Sequence, residues 1–280
     1  MKKKKKTPSK KPAKKKKSSK LKYFVWAAII AAAVFVATNN TAKRKIVVLY
    51  NVCSVHFEDI NHIFFSEKHF GVSIPSGYTV HGIDVSHWQR KINWSEVNNL
   101  RPDEPHIAFV FIKSSEGKIM SDKYFSYNME NARKNGVICG AYHYYKPGVN
   151  STEQAKNFIS LVKLQKGDLP PVLDIEEESP FGNENMRKGI KNWLQLVEAH
   201  YGVKPIIYCS NSFHKDYLSG EDFKDYPFWI AHYYKSKIKT SSKWIFWQHS
   251  DKARVNGVYG DVDINVFNGN SEDLKNLCKK

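Results

Sequence analysis

The feature that most constrains the fold of this chain is an alternation of short apolar segments with amphipathic ones, which begins at Val80. Several of the short segments are rich in β-branched residues and lack polar alternation, which is typical of parallel strands buried on both faces. The candidate strands cover residues 81–86, 107–113, 137–144, 171–176, 204–209, 228–232, 244–248 and 261–265. The pattern therefore predicts an α/β domain.

The spacing of these candidate strands indicates a barrel. The first five begin 26 to 34 residues apart, which leaves room for a crossover helix in each interval. The last three intervals are 24, 16 and 17 residues, too short for a full helix with its loops. A barrel of eight strands and about five helices fits this spacing best. An open doubly wound sheet is the alternative, although no glycine-rich loop follows the first strand.

Three of the intervening segments carry the apolar periodicity of amphipathic helices. They lie within residues 125–132, 155–162 and 186–201. Ser151 and Gln154 have the spacing of a capping box ahead of the second of them. We interpret the apolar stripes as core-facing surfaces and not as cofactor-binding sites.

Four acidic residues lie near the predicted strand ends, where parallel barrels place their active sites. Asp174 and Glu176 are two residues apart in one strand and therefore share a face. Asp84 and Asp263 lie in the first and eighth strands, which are neighbours in a closed barrel. Repulsion within such a group raises at least one carboxyl pKa, and a protonated acid beside an ionised partner can cleave a glycosidic bond. An Asp-x-Glu pair alone is a weak signal, because solvated acidic pairs at strand ends are common.

Aromatic residues are also concentrated at or just beyond the predicted strand ends. They are Trp88, Tyr142, Tyr144, Tyr145, Trp229, Tyr233, Tyr234 and Trp247. Rings at a barrel mouth can stack against the apolar faces of sugars. The simpler alternative is that about half of them only close the barrel.

Other chemistries find less support in the sequence. It contains no HExxH zinc motif, no Walker loop and no G-x-S-x-G elbow. His81 and His87 flank Asp84 without a third ligand at a suitable spacing, so we expect neither a metal nor another cofactor. Cys139 and Cys209 lie inside predicted strands and are expected to be buried free thiols.

Basic residues at the N-terminus account for most of the formal net charge of +17. Residues 1–22 contain thirteen lysines and no acid, so the remainder is only mildly basic, and we expect no nucleic-acid partner. This tail cannot bury apolar surface and is predicted to be disordered. The whole chain is 41% hydrophobic and 14% aromatic, which excludes global disorder.

An uncharged apolar run, residues 23–38, follows the tail directly. It is short for a membrane span and long for a signal-peptide core. A signal peptidase site is poor, because Phe35 would stand at position −3 if cleavage followed Ala37. We therefore favour an uncleaved anchor over residues 23–40, with secretion after cleavage as the alternative. In both cases the lysines stay cytoplasmic and the rest is exported.

The chain is thus divided into a cytoplasmic tail over residues 1–22, an anchor over 23–40, a stem over 41–76 and a catalytic domain over 77–280. Cys53 and Cys278 bracket that domain and could pair if it is exported.

Nine sequence blocks in this domain resemble those of the family 25 glycoside hydrolases, the Chalaropsis-type lysozymes or N-acetylmuramidases. The blocks are GIDVSHWQ (82–89), INW (92–94), FVFIKSSEG (109–117), GAYHYY (140–145), PVLDIEE (171–177), PIIYCS (205–210), FWIAHY (228–233), WQHS (247–250) and DINVF (263–267). They occur in the order that the family has. Together they are highly specific, although most of them singly are not.

This resemblance implies a flattened, TIM-like (β/α)5(β)3 barrel that hydrolyses the β-1,4 bond between N-acetylmuramic acid and N-acetylglucosamine in peptidoglycan. Glu176 matches the general acid/base of the family. Asp174 matches the partner carboxylate, either as the nucleophile or as the group that steadies the 2-acetamido oxygen of the substrate. Asp84 and Asp263 match two flanking acids.

The resemblance also implies positions that contact the substrate. Tyr142, Trp247 and Gln248 match such positions, and Tyr144 and Trp229 are further candidates at the mouth. We expect the domain to act as a monomer on peptidoglycan glycan strands in the cell envelope. The alternative is an envelope protein that binds peptidoglycan without cleaving it.

Overall fold

All eight candidate strands are present in the computed structural model, which describes residues 68–99, 104–238, 240 and 243–280. The strands of the described residues are β1 (Lys68–His69), β2 (Val72–Ser73), β3 (His81–Val85), β4 (Ile107–Glu116), β5 (Met120–Ser121), β6 (Ile138–Tyr144), β7 (Val172–Asp174), β8 (Ile206–Ser210), β9 (Phe228–Ala231), β10 (Trp244–Ala253) and β11 (Val262–Phe267).

Eight of these strands close into a barrel. The order is β3-β11-β10-β9-β8-β7-β6-β4, and pairing between β3 and β4 completes the ring. Among these eight strands all pairings are parallel except that β11 runs antiparallel to both of its neighbours, β10 and β3. The predicted closed α/β barrel is therefore confirmed.

Helices follow the first five barrel strands, as the spacing predicted. The α-helices of the described residues are α1 (Trp94–Val97), α2 (Phe125–Lys134), α3 (Ser151–Leu161), α4 (Asn183–Tyr201), α5 (Asn211–Phe213) and α6 (Ser271–Leu277). A π-helical turn over His214–Leu218 continues α5. The described residues between β9 and β11 contain no helix, in agreement with the short intervals there.

The barrel strands are buried on both faces, because two cores lie on either side of the sheet. Every residue of β3 is buried. The outer core lies between the sheet and the helices, and the inner core fills the barrel mainly with aromatic rings. Phe111 stacks on Trp229 at a centroid distance of 4.6 Å, and Phe109 packs on Phe246 at 4.9 Å. This double burial explains why the strands lack polar alternation.

The start of α3 differs from the sequence-based expectation. The N-cap of α3 is Asn150, whose side chain accepts hydrogen bonds from the backbone N–H groups of Thr152 and Glu153, so the predicted capping box is wrong. Ser151 is instead the first helical residue, and the buried Gln154 side chain donates to the carbonyl oxygen of Lys146.

The domain also begins before residue 77, the boundary predicted from sequence. The β1–β2 hairpin places Phe70 in the outer core at 3% exposure, and the backbone N–H of Arg254 donates to the Phe70 carbonyl at 2.8 Å. A short hairpin with few apolar residues has no sustained period, so its packing does not show in the sequence.

The predicted tail and anchor, with Cys53, lie outside the described residues. Across the part of the chain that is described, no helix is long and apolar enough to span a membrane. Cys139, Cys209 and Cys278 are buried free thiols.

Gly140 provides a test of how tightly the barrel interior is packed. A Cβ atom at this position would lie 2.5 Å from the Phe111 ring and 3.1 Å from Leu169 Cβ. We expect Gly140→Ala to lower the free energy of unfolding by about 2–3 kcal/mol, because overpacking forces the inner rings apart. Gly148→Ala is the control, since its Cβ would make ordinary contact at 3.4 Å with Pro180. Denaturant unfolding measures both, and equal stabilities of the two variants would contradict the expectation.

Candidate active site

Asp84 and Asp263 lie side by side on neighbouring strands. Asp84 is in β3, Asp263 is in β11, and the two are direct partners in the antiparallel register. The predicted proximity is therefore confirmed. The expectation that every acid lies at the C-terminal end of its strand is wrong for Asp263, which is the second residue of β11. Because β11 runs antiparallel, its beginning lies at the barrel mouth.

Asp174 and Glu176 lie at the end of β7 and just beyond it. The strand ends at Asp174, two residues earlier than predicted. Asp174 is 6% exposed, and its Oδ1 atom is buried without a hydrogen-bond partner among the described residues. The Glu176 side chain is exposed, although its carboxyl lies at the same cavity. One carboxyl is thus enclosed and the other is open to an incoming substrate.

The four acids line a single cavity of about 220 Å³ at the barrel mouth. The other lining residues are Ser86, Trp88, Lys113, Tyr142, Tyr144, Tyr208, Trp229, Tyr233 and Gln248. Four of the five residues predicted to contact substrate therefore lie at the cavity with the acids.

Trp247 is the exception among the predicted contact residues. Its side chain is fully buried, and its Nε1–H donates to the carbonyl oxygen of His232 at 2.8 Å. Gln248, the next residue along β10, faces the barrel interior, so Trp247 faces the opposite side of the sheet. The structure contradicts its predicted substrate contact, because the ring has no surface open to the cavity.

A hydrogen-bond network holds Asp84 in place. Its Oδ2 atom accepts from Gln248 Nε2 at 2.8 Å and from Asn265 Nδ2 at 2.7 Å. The hydroxyls of Tyr208 and Tyr233 both donate to Gln248 Oε1, at 2.8 and 2.6 Å. Two donors on the oxygen fix the amide orientation, so its N–H group must point at Asp84.

Asn265 is oriented in the same way from the other side. Trp229 Nε1–H donates to Asn265 Oδ1 at 2.8 Å, which leaves the Asn265 amide nitrogen for Asp84. Trp229 is only 2% exposed and thus forms part of the cavity floor. Asp84 is therefore a buried acceptor with fixed amide donors, and these hydrogen bonds favour its ionised form while burial opposes it.

Lys113 is the positive charge of the cavity. Its Nζ atom lies 2.7 Å from Glu116 Oε2 and 4.7 Å from the centre of the Tyr144 ring. Lys146 approaches the same ring at 4.9 Å, and the Tyr144 hydroxyl donates to Glu177 at 3.1 Å. Tyr144 is thus held at the cavity wall by two cations and a carboxylate.

The pKa values of the two acids on and after β7 are both raised. Burial is the main cause for Asp174, and the negative charge of Glu176 adds to it. Partial loss of water around the carboxyl at the cavity wall also raises the pKa of Glu176, and the positive charge of Lys113 opposes this rise. Because Glu176 is exposed at the cavity, solvent screens part of its shift. A proton is therefore held at this pair above the pH range in which carboxyl groups normally lose it.

The pKa of Asp263 is raised mainly by burial and then by the negative charge of Asp84. Burial also raises the pKa of Asp84, but its hydrogen bonds from Asn265 and Gln248 oppose this rise. As the pH rises, Asp84 therefore loses its proton at a lower pH than Asp263 does.

This asymmetry predicts a pH-dependent gain in stability for Asp263→Asn. Folding raises the pKa of this carboxyl, so its contribution to the free energy of unfolding is fully present below its ordinary pKa of 3.8. The contribution is lost as the pH rises through the pKa of the folded state. The neutral amide escapes this loss, so we expect a gain of about 1–2 kcal/mol at pH 8 and little gain at pH 4. Denaturant unfolding at both pH values measures the difference. Asp261→Asn is the control, because Asp261 pairs at the surface with Arg254 at 2.7 Å. A gain no larger at pH 8 than at pH 4 would contradict the assignment.

Several residues that line the cavity or hold its acids were not singled out from the sequence as site residues. Asn265 shares a face with Asp263, two residues earlier in β11, and this spacing could have indicated it. Lys113 stands near the end of β4, where the barrel mouth was expected. Tyr208 carries no such signal, because it sits within an apolar strand. None of the His, Cys, Asp and Glu side chains described form a group of three or more arranged to hold a metal ion.

Comparison with known proteins agrees with this geometry. The family model described as "Glycosyl hydrolases family 25" matches residues 83–258. The chain is 42% identical to the uncharacterized protein YegX of Escherichia coli strain K12 over 235 residues, which cover 83% of this chain and 86% of that protein. It is 38% identical to Lysozyme M1 of Streptomyces globisporus over 231 residues, 76% of this chain and 75% of that protein.

A solved structure has the same fold. The bacterial lysozyme from Streptomyces coelicolor superimposes with a TM-score of 0.65 at 36% sequence identity, covering 72% of this chain and 98% of that chain. The family match spans more than half of the chain and includes three of the four acids at the cavity, with Asp263 lying just beyond it. The chain therefore belongs to glycosyl hydrolase family 25.

Proposed function

We propose that this protein is a lysozyme-type glycoside hydrolase that cleaves the β-1,4 bond between N-acetylmuramic acid and N-acetylglucosamine in peptidoglycan. The observation that carries the proposal is the enclosed Asp174 carboxyl beside the open Glu176 carboxyl in one cavity. Family membership supports it, and so do relatives named as lysozymes and as an N,O-diacetylmuramidase.

Glu176 acts as the general acid. Its pKa is raised, which favours the protonated form that can donate to the leaving oxygen, and its exposure lets the glycosidic bond reach it. Asp174 stabilises the positive charge that develops at the sugar, either by attacking it directly or by steadying the 2-acetamido oxygen as that group attacks. Asp84 and Asp263 hold the charge and the shape of the cavity around these two.

The reducing-end sugar of the products tests the proposed reaction. The full-length chain is incubated with purified peptidoglycan, and the soluble fragments are reduced and identified by mass spectrometry. A muramidase leaves N-acetylmuramic acid at the new reducing end, whereas a glucosaminidase leaves N-acetylglucosamine. Binding to peptidoglycan without any soluble product would favour the alternative, a non-catalytic envelope protein.

We further infer that residues 23–40 anchor the protein in the cytoplasmic membrane, with residues 1–22 inside and the catalytic domain outside. The thirteen lysines next to an uncharged apolar run support this topology. The full-length chain is then expected in the membrane fraction and a chain lacking residues 1–40 in the soluble fraction. Equal distribution of the two chains would contradict the anchor. We also expect the domain to be monomeric.

A further inference from the structure

A second cavity continues the catalytic cavity on one side. Its volume is about 580 Å³, and Glu176, Tyr208 and Tyr233 line both spaces. A ligand with its reacting bond at Glu176 can therefore extend into this side groove without leaving the surface of the domain. The groove is large enough for several residues of a polymer, whereas the catalytic cavity of about 220 Å³ is not.

The far wall of the side groove comes from the end of β8 and the segment that follows it. It consists of Ser210, Asn211, Ser212, Lys215 and Asp216. Ser210 is the last residue of β8 and the N-cap of α5, Asn211 and Ser212 lie in α5, and the last two belong to the π-helical turn. The wall is thus polar and carries one charge of each sign.

Asn211 has an unsatisfied hydrogen-bonding group in this wall. Its side chain is 6% exposed, and its Oδ1 atom is buried with no partner among the described residues. A buried amide oxygen without a donor costs about 1–3 kcal/mol, so native proteins seldom keep one without a reason. The neighbouring Ser210 hydroxyl accepts from the Phe213 N–H group and lies 3.0 Å from the Ser212 hydroxyl, and it makes no hydrogen bond to Asn211 Oδ1. Because Asn211 lines the groove, an N–H or O–H group of a bound ligand is one way to supply the missing donor.

Lys215 and Asp216 are the charged groups of the wall, and both are exposed. Neither forms an ion pair with another side chain in the described part of the chain, although lysines and acids elsewhere on the domain pair frequently. Both charges are therefore open to a ligand. A neutral sugar chain would satisfy Asn211 but would leave both charges without a partner.

We propose that the side groove binds the peptide stem carried by N-acetylmuramic acid, so that the enzyme distinguishes peptide-bearing glycan strands from bare ones. This inference rests on the proposed muramidase function. A peptide supplies backbone N–H groups for Asn211 Oδ1, a carboxylate for Lys215 and, in stems with a diamino acid, an ammonium group for Asp216. The glycan would then occupy the catalytic cavity while its stem lies along Ser210, Asn211 and Lys215.

The test compares two matched substrates. Glycan strands that carry their stems are hydrolysed in parallel with strands from which an amidase has removed the stems. The full-length wild-type chain is expected to have a higher kcat/KM on the stem-bearing strands. Lys215→Ala is expected to lower kcat/KM on these strands by about fivefold, because it removes one exposed charge-assisted contact. Hydrolysis of the bare strands should be unchanged. Lys215→Glu is expected to lower it further, because the carboxylates repel.

Two additional variants make the result specific. Lys188→Ala is the matched control, because Lys188 is an exposed lysine of α4 that pairs with Glu184 and lies outside both cavities. It should behave as wild type on both substrates. Asn211→Ala should show the same selective loss as Lys215→Ala, and thermal melting verifies that both variants fold.

The possible failures are distinguishable. If the wild type hydrolyses both substrates but Lys215→Ala lowers both rates equally, or neither, the stem-binding groove is wrong and the muramidase function stands. If the wild type releases no product from either substrate, the proposed function itself is wrong.

Discussion

Glu176→Gln is expected to lower kcat on peptidoglycan by about 10³-fold while the domain stays folded. The amide cannot donate the proton that the leaving oxygen needs, whereas its size matches that of the carboxyl it replaces. The side chain is exposed at the cavity, so its loss removes little from the packed core. Release of soluble fragments measures activity, and thermal melting measures folding.

The leaving group makes this prediction specific to general-acid catalysis. A substrate whose leaving group is a nitrophenolate needs little protonation, so Glu176→Gln should lose much less activity on it than on peptidoglycan. Glu178→Gln is the matched control, because Glu178 is an exposed carboxyl two residues further along the chain that does not line the catalytic cavity. It should retain activity. An equal loss on both kinds of leaving group would contradict the role of Glu176.

Asp174→Asn is expected to lower kcat by a similar factor, about 10³-fold, but for a different reason. The neutral amide can neither attack the sugar nor stabilise positive charge on it. An activated leaving group should therefore not restore activity, in contrast to Glu176→Gln. The variant should also be at least as stable as wild type at pH 7, since the raised pKa of the buried Asp174 means that ionisation disfavours the folded state.

The two possible routes through Asp174 can be separated with the wild-type protein. In the nucleophile route, a slow fluorinated substrate should leave a glycosyl group on Asp174 that mass spectrometry detects. In the other route no adduct forms, and a stable thiazoline that mimics the cyclised acetamido group should inhibit strongly. Asp174→Asn with full activity on peptidoglycan would contradict both routes.

Much of the barrel could be predicted from the sequence because its signals are local. Burial on both faces produces continuous apolar strands such as β3, and amphipathic periodicity identifies α4. The spacing between strands then shows which connections can hold a helix. The exact start of a helix was harder to predict, because it depends on a single capping side chain. Asn150 caps α3 where Ser151 was expected. The β1–β2 hairpin was not predicted because it is too short for a sustained period, and its contacts are with distant residues such as Arg254.

The candidate site was predictable to a similar degree. Alternation along a strand correctly brings Asp174 and Glu176 to one cavity, and barrel closure brings Asp84 beside Asp263. The antiparallel direction of β11 could not be read from its own residues, because an apolar strand looks the same in either direction. Trp247 was misplaced because its sequence position alone does not show which face of β10 it occupies.

The sequence by itself determined the strand and helix segments, the family resemblance and the identity of the four acids, because each of these depends on residues that are close together along the chain. Only the tertiary structure decided the environment of those acids. The enclosure of Asp174, the amide donors on Asp84 and the groove beside Glu176 all arise from side chains on different strands. Proton affinity and substrate recognition depend on such contacts between distant segments, and these exist only once the barrel has closed.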